Sequence, residues 1–445
     1  MRPPRSLLIL VGAVLVVALV GALSSPPPAR SQQGVDVMLN VFGTGAKKLN
    51  IVVPELVLAG GGDPQGLAKR VPEVTGNDLR FSALFSVVDQ VAAPTSLDAA
   101  GLRAYWEQFP GAHAGLLGLL RARGDRVEVE MRLYDLTDQS QRIIATRKLE
   151  MPTAQFRRLA HKVADEVVFQ YTGERGVADT KIAFVSTVTG TKELYVTDYD
   201  GANVARLTSN RSINLSPAWS PDSFSIAFTS YMGIGYPYVY RVFPFGPGRP
   251  AQLLAGHYGL NSSPAWSPDG QSLALTLTKD GNPEIYVLTV ATGALRRLTN
   301  HPGIDTEPTW SPTGREIAFV SERAGGAQIF VMDEFGANLR RLTNGGFNTQ
   351  PRWSPKGDTI AYTARQGGHN IWAAAPDGSN PRALTAGPGN NESASWAPNG
   401  RHLVFQSSRG GSFQLYTMLA DGSEQQPLTR GAGEATSGAW SNRLP

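Results

Sequence analysis

From residue 181 to the C-terminus, short apolar runs alternate with polar, glycine-rich breaks, and the whole pattern repeats about every 44 residues. The repeat is anchored by Trp219, Trp266, Trp310, Trp353, Trp396 and Trp440, spaced 47, 44, 43, 43 and 44 apart. Around them the sequence reads Ala-Trp-Ser-Pro-Asp at 218–222, Ala-Trp-Ser-Pro-Asp-Gly at 265–270 and Thr-Trp-Ser-Pro-Thr-Gly at 309–314. Arg-Trp-Ser-Pro-Lys-Gly at 352–357, Ser-Trp-Ala-Pro-Asn-Gly at 395–400 and Ala-Trp-Ser-Asn at 439–442 complete the set. Ser-Pro-x-Gly predicts a β-turn, with proline pre-set at the second position and glycine tolerant at the fourth. Each turn leads into a β-rich run, at 225–229, 272–276, 316–320, 359–363 and 402–406. A second run follows, as at 284–288 and 328–332, and a third ends in Leu-Thr at 207–208, 298–299, 342–343, 384–385 and 428–429. With the tryptophan strand, each unit holds four short antiparallel strands, which is the content of one propeller blade.

The two ends of this region fit each other. Lys181-Ile182-Ala183-Phe184-Val185 is a second strand without a tryptophan strand before it, and Trp440 lies in a tryptophan strand with nothing after it. The expected architecture is therefore an all-β six-bladed β-propeller over 181–445, with four-stranded blades and a ring closed by the C-terminal strand, which removes free sheet edges. Residues 34–172 mix periods and predict a small α/β domain. Strands are expected at 35–41, 49–53, 126–133 and 141–151. In the third of these, Val127, Val129, Met131 and Leu133 alternate with Arg126, Glu128, Glu130 and Arg132. Thr153 is expected to cap a helix with its apolar face at Phe156, Leu159, Ala160, Val163, Ala164, Val167, Val168 and Tyr171, ended by Gly173. Shorter helices are expected at 77–85 and 95–109, and residues 173–180 form the link to the propeller.

Composition agrees with a turn-rich fold. Glycine (48) and proline (31) together make about 18% of the chain, against about 12% in average usage, which rules out a helical bundle. There is no cysteine, so disulfides, cysteine zinc sites and thiol nucleophiles are excluded. The net charge of +4 includes Arg2, Arg5 and Arg30, which lie in an acid-free start; the remainder carries about +1, with no electrostatic footprint for nucleic acid. Arg2 and Arg5 precede an apolar run over 7–23 followed by Ser24-Ser25-Pro26-Pro27-Pro28. This describes a secretory signal at 1–24, cleaved after Ser24, and then a proline-rich linker at 25–33. An uncleaved anchor is the alternative, since 17 apolar residues approach the length of a membrane span. With the signal removed, no direct membrane insertion is expected.

Catalytic motifs are missing: Gly-x-Ser-x-Gly, His-Glu-x-x-His and a glycine-rich phosphate loop do not occur. The six histidines are scattered, so neither a metal nor a cofactor is expected. Asp198-x-Asp200-Gly201 reads as a hairpin turn rather than a calcium loop, because other blades place Asp377-Gly378 or Thr292-Gly293 there. Arg206, Arg296, Arg297, Arg340, Arg341 and Arg382 fall on outer strands, where charge discourages edge pairing. One ring is a candidate interaction face. Asn214, Asn261, Asp305, Asn348 and Asn391 stand five residues before their tryptophans, preceded by Ile213, Leu260, Ile304 and Phe347. The links that carry them run from outer to inner strand and would surround one mouth of the central channel. The asparagines also suit turn-capping in each blade, and the two roles are compatible.

Trp-Ser-Pro-Asp-Gly at 266–270, Ile-Ala-Phe at 317–319, Ile-Tyr-Val at 285–287 and Arg-Arg-Leu-Thr at 340–343 resemble the propeller of the TolB family. The order of signal, small α/β domain and six-blade ring is similar to that family's, as are residues 118–136 and the helix near 160–173. The resemblance covers about 410 residues, with departures at Ala397, at the blade-two insertion 232–237 and in the longer proline-rich start. It implies a non-catalytic, monomeric component of the Tol-Pal envelope system in the periplasm of a Gram-negative bacterium. That component would bind the peptidoglycan-associated lipoprotein through its propeller and the inner-membrane protein TolA through its N-terminal segment, supporting constriction of the outer membrane during division. For the TolA contact the expectation falls on Val35, Val37, Leu39 and Val41, which alternate as a strand able to add to a partner's sheet edge. The rival function is a periplasmic propeller enzyme, a lactonase or lyase, working at the channel mouth. It would need several converging carboxylates or histidines.

Overall fold

The computed structural model describes residues 47–445 apart from 139, 234 and 247. The signal, the proline-rich linker and the strand expected at 35–41 lie outside the described residues. The first region is a six-stranded mixed sheet: β1 (Leu49–Pro54), β2 (Val57–Leu58), β3 (Phe85–Val91), β4 (Ala114–Arg123), β5 (Arg126–Asp135) and β6 (Ile143–Pro152), in the order β3-β1-β4-β5-β6 with β2 on β4. β1 runs parallel to β3 and β4, and β4, β5 and β6 are antiparallel. The β4 strand carries no alternation in its sequence, because Ala-Gly-Leu-Leu-Gly-Leu-Leu is apolar on both faces and buried on both. Gly115 belongs to it by close approach, since a Cβ there would meet the Trp106 ring at 2.7 Å.

Among the described residues three α-helices accompany the sheet: α1 (Leu67–Phe81), α2 (Ala99–Trp106) and α3 (Phe156–Thr172). The helix expected at 77–85 starts ten residues earlier than the pattern suggested, at Leu67, because Pro72 inside it reads as a breaker. The Ala68 carbonyl, which a residue other than proline at 72 would have engaged, instead accepts the Leu56 N–H at 2.8 Å. In α2, Asp98 caps through a 2.7 Å bond from the Gly101 N–H. Thr153 does not cap α3. It opens a short 3-10 turn (Thr153–Gln155) ahead of the helix, with its hydroxyl unbonded and its N–H donated to the Asp125 carbonyl at 2.7 Å. Gly173 ends α3 in the left-handed conformation, φ 71°.

Residues from 181 onward form six four-stranded antiparallel sheets. Blade one takes its inner strand from the other end of the chain: Ala435–Trp440 pairs with Lys181–Ser186, matching Ala435 to Ser186 and Trp440 to Ile182. The inner strands of blades two to six are Asn214–Trp219, Asn261–Trp266, Asp305–Trp310, Phe347–Trp353 and Asn391–Trp396. Their tryptophans do the packing between blades that their repeat position implied. The indole N–H groups of Trp219, Trp266, Trp310 and Trp396 donate to carbonyls of the preceding blade, at Ala439 (3.0 Å), Ala218 (3.2 Å), Ala265 (3.2 Å) and Arg352 (3.0 Å). The Leu-Thr ending has an equally local cause. The Thr299 hydroxyl accepts the Ile285 N–H at 2.9 Å and donates to the Glu284 carboxylate, tying the start of a third strand to the end of the fourth. Outer-strand arginines also reach onward: Arg296 donates to the Glu334 carbonyl of the next blade at 2.9 Å.

The α/β region sits on the face of the propeller formed by the tryptophan turns, off the channel axis. Its hydrophobic core runs without a break into blades one and six, through Tyr199, Val404, Leu415 and Trp440. At this junction Phe81 stacks on His402, ring centroids 4.8 Å apart. The link is itself buried: Val177, Ala178, Asp179 and Thr180 are each at most 5% exposed.

Candidate functional site

Each inner strand starts on one face of the ring and runs along the channel. The residues at those starts are the candidate ring, and the fold separates its polar members from its apolar ones. Asn214, Asn261, Asp305 and Asn391 are completely buried and Asn348 nearly so. They belong to hydrogen-bonded junctions between blades. Asn348 Nδ2 donates to Gln328 Oε1 at 3.0 Å, and the Thr343 hydroxyl donates to the same oxygen at 2.9 Å. Asn391 Nδ2 meets Asn370 Oδ1 at 3.0 Å and Asn214 Nδ2 meets Glu193 Oε2 at 3.2 Å, repeating the arrangement. Asn261 Nδ2 reaches the Pro237 carbonyl of blade two at 3.2 Å and also donates within its own loop to the His257 carbonyl (2.8 Å) and the Gly259 carbonyl (3.0 Å), while its Oδ1 accepts the His257 N–H (2.9 Å). These side chains hold the mouth in shape without facing it.

Asp305 is the acid in this series. Arg323 Nη2 lies 2.7 Å from its Oδ2, while Oδ1 is buried without a hydrogen-bond partner. Burial, with Glu284 nearby, pushes its carboxyl above the ordinary range against the pull of Arg323. The apolar members stay at the surface. Ile213, Ile304 and Phe347 are 47%, 39% and 46% exposed, and Leu260 is half-buried. Tyr231 and Tyr258 extend this arc on the blade-two side; the Tyr231 N–H donates to the Ile213 carbonyl at 3.0 Å, and Tyr258 stacks edge-on with Tyr236 at 4.9 Å. The aromatic contribution of the 232–237 insertion was not anticipated, although the insertion itself is visible in the repeat lengths. On the remaining side the same positions are Asn390 and Glu434, so the apolar character covers an arc and not a full circle. Val35, Val37, Leu39 and Val41 lie outside the described residues. Among the described residues no group of three or more His, Asp or Glu is placed to hold a metal ion.

Past the mouth, every inner strand breaks register at one point: Ser216, Ser263, Glu307, Gln350, Ser393 and Ser437 all have φ between 50° and 55°. These bulges turn one side chain per blade toward the axis. Pro217, Pro264, Pro308 and Pro351 follow four of them, where the ladder is interrupted and a missing N–H loses no bond.

Comparison with known families covers both parts of this architecture. The TolB amino-terminal domain matches residues 37–142, and the TolB beta propeller domain matches residues 169–444. The chain belongs to the TolB family. Similar TolB proteins include the Tol-Pal system protein TolB of Geobacter sulfurreducens, 41% identical over 192 residues (42% of this chain, 43% of that protein). The protein TolB homolog of Chlorobaculum tepidum is 37% identical over 287 residues, 64% of each chain. The chain spans about half the length of the curated relatives it matches. Among solved structures, TolB from Acinetobacter baumannii superposes with a TM-score of 0.76 at 28% identity, covering 89% of this chain and 97% of that one. The likeness thus extends over nearly all of the described residues.

Proposed function

We propose that this TolB-family chain is a non-catalytic periplasmic scaffold of the Tol-Pal system, docking the peptidoglycan-associated lipoprotein at the channel mouth and TolA through its N-terminal segment, and so supporting outer-membrane integrity and constriction during division. The observation that carries the reading is the surface arc of exposed Ile213, Ile304 and Phe347 with half-buried Leu260, over a hydrogen-bonded floor. Apolar side chains kept at the surface by a folded scaffold favour a protein partner, and a floor already ordered lowers the entropy cost of docking. The names of the curated relatives support the Tol-Pal assignment. The enzyme reading is weaker, because the acid of the inner-strand series, Asp305, is sunk beneath the mouth and bonded to Arg323.

The test is a pull-down of the mature protein against purified lipoprotein and the TolA C-terminal domain. Changing Leu260 and Phe347 together to aspartate should weaken lipoprotein capture at least tenfold and leave the circular dichroism unchanged; equal capture would move the site elsewhere. A protein starting at Phe42 should keep lipoprotein binding and lose TolA. Wild-type TolA affinity in that truncation would reduce the segment containing Val35, Val37, Leu39 and Val41 to a spacer.

A further inference from the structure

The channel holds a cavity of about 400 Å³ that opens toward the tryptophan-turn face, and none of the nine ring residues lines it. Its wall at the level of the bulges is Ser216, Ser263, Glu307, Gln350, Ser393 and Ser437. Two residues further along the inner strands the wall is Ala218, Ala265, Thr309, Arg352, Ser395 and Ala439. Five of these six are small, and that keeps the channel open around a single guanidinium. Arg352 Nη1 donates to the Pro351 carbonyl at 2.8 Å, and among the described residues its other donors have no hydrogen-bond partner. On the neighbouring blade, Glu307 Oε2 accepts the Gln350 N–H at 2.8 Å, leaving Oε1 unengaged among the described residues.

The two charges sense each other without closing into an ion pair, since no nitrogen–oxygen contact within 4.0 Å joins them. Burial pushes the Glu307 carboxyl up and the Arg352 guanidinium down, each opposed by the charge of the other. The hydroxyls of Ser216, Ser263, Ser393 and Ser437 also make no hydrogen bond among the described residues. A concave site of this volume with a few convergent polar groups is the ordinary form of a small-molecule pocket. Its charge pattern narrows the ligand. A plain anion would face Glu307, and a plain cation would face Arg352. A molecule carrying both charges satisfies both residues, with the guanidinium fork matched to a carboxylate.

We propose that the channel cavity binds a small zwitterion of the amino-acid or short-peptide class, its carboxylate on Arg352 and its ammonium on Glu307. The serine hydroxyls supply neutral hydrogen bonds around it. Calorimetric titration of the mature protein tests this, with alanine and dialanine as the zwitterions and acetate and methylammonium as the single charges. At least one zwitterion should bind, each single charge at least tenfold more weakly, and alanine against dialanine reports the charge separation the site accepts. Arg352→Gln and Glu307→Gln should each weaken the zwitterion at least tenfold with unchanged melting temperature. As a measurement independent of any variant, the Arg352 side-chain Nε–H resonance should shift in the wild-type protein when the zwitterion is added. Absence of binding by both zwitterions at millimolar concentration, acetate binding as tightly as either, or unaltered affinity in the Arg352 variant would each overturn the proposal.

Discussion

At the scale of single residues, the inner-strand starts show how a repeat writes one role in slightly different letters. Asn391 and Asp305 occupy the same place in different blades, and each meets the arginine at the equivalent position of its own blade. Arg409 Nη2 reaches Asn391 Oδ1 at 2.9 Å and its Nε reaches the Ser407 hydroxyl at 2.8 Å; Arg323 reaches Asp305 and Ser321 in the same way. The carboxylate is therefore a replaceable version of the amide. Its folded pKa lies above the unfolded one, so its favourable contribution is present at acid pH and is lost as pH rises past the ordinary carboxylate range. Asp305→Asn should accordingly raise the melting temperature by a few degrees at pH 7 and by less near pH 4, in thermal melts across that range. The indole bonds between blades give a second residue-scale outcome. Trp266→Phe removes the bond to the Ala218 carbonyl and should cost about 1–2 kcal/mol in denaturant unfolding, counting the carbonyl left unpaired. The tryptophan role was legible from its spacing. The burial of the asparagines was not, because an amide that caps a buried junction and one that faces a partner have the same sequence pattern.

At the scale of elements, the strand that closes the ring carries the sharpest consequence. Ala435–Trp440 pairs with Lys181–Ser186 across more than two hundred residues of intervening chain, and Trp440 donates its indole N–H to the Thr180 hydroxyl at 2.8 Å. Removing everything after Gly433 exposes the edge of Lys181–Ser186 and the flank of blade six. That protein should melt far below the intact one or aggregate, as followed by circular dichroism and light scattering; an unchanged melting curve would contradict closure. Here the sequence was sufficient, because a strand missing at one end and left over at the other is a count. In the α/β region it was less so. The start of α1 was hidden because Pro72 reads as a breaker, and only the fold brings the Leu56 N–H to the stranded Ala68 carbonyl. β4 was hidden because burial on both faces erases the alternation that marks a half-exposed strand.

At the scale of the whole molecule, the junction between the α/β region and the ring is where pH should act. His402, on blade six, is buried against Phe81, with its Nε2 3.1 Å from the Phe81 carbonyl and its Nδ1 3.4 Å from Asn399 Nδ2. Burial, aided by the neighbouring Arg401 charge, lowers its pKa to about 4 despite the carbonyl bond, so the folded protein holds it neutral. The unfolded chain binds that proton from about pH 6.5 downward, so stability falls as pH drops from 6.5 to 4, by about 3 kcal/mol in all. Denaturant unfolding against pH should show that slope in the wild-type protein and lose it in His402→Gln. His161, across the same junction, acts in the opposite direction. It lies 2.8 Å from Asp78, and together with Asp198 that carboxylate outweighs desolvation and raises its pKa to about 10. Its contribution is complete below pH 6.5 and is lost as pH rises toward 10. From the sequence alone came the number of blades, the turn and strand chemistry of each, the closure by the C-terminal strand and the family likeness, because all of these are written in short-range periodicity that repeats. Only the tertiary structure decided that the asparagines lie beneath the mouth and the apolar residues on it, that His402 meets Phe81 of the α/β region and His161 meets Asp198 of blade one, and that Glu307 and Arg352 share one channel. Those facts depend on which side chains from distant parts of the chain share a buried space, and burial sets both their charge state and their availability to a partner.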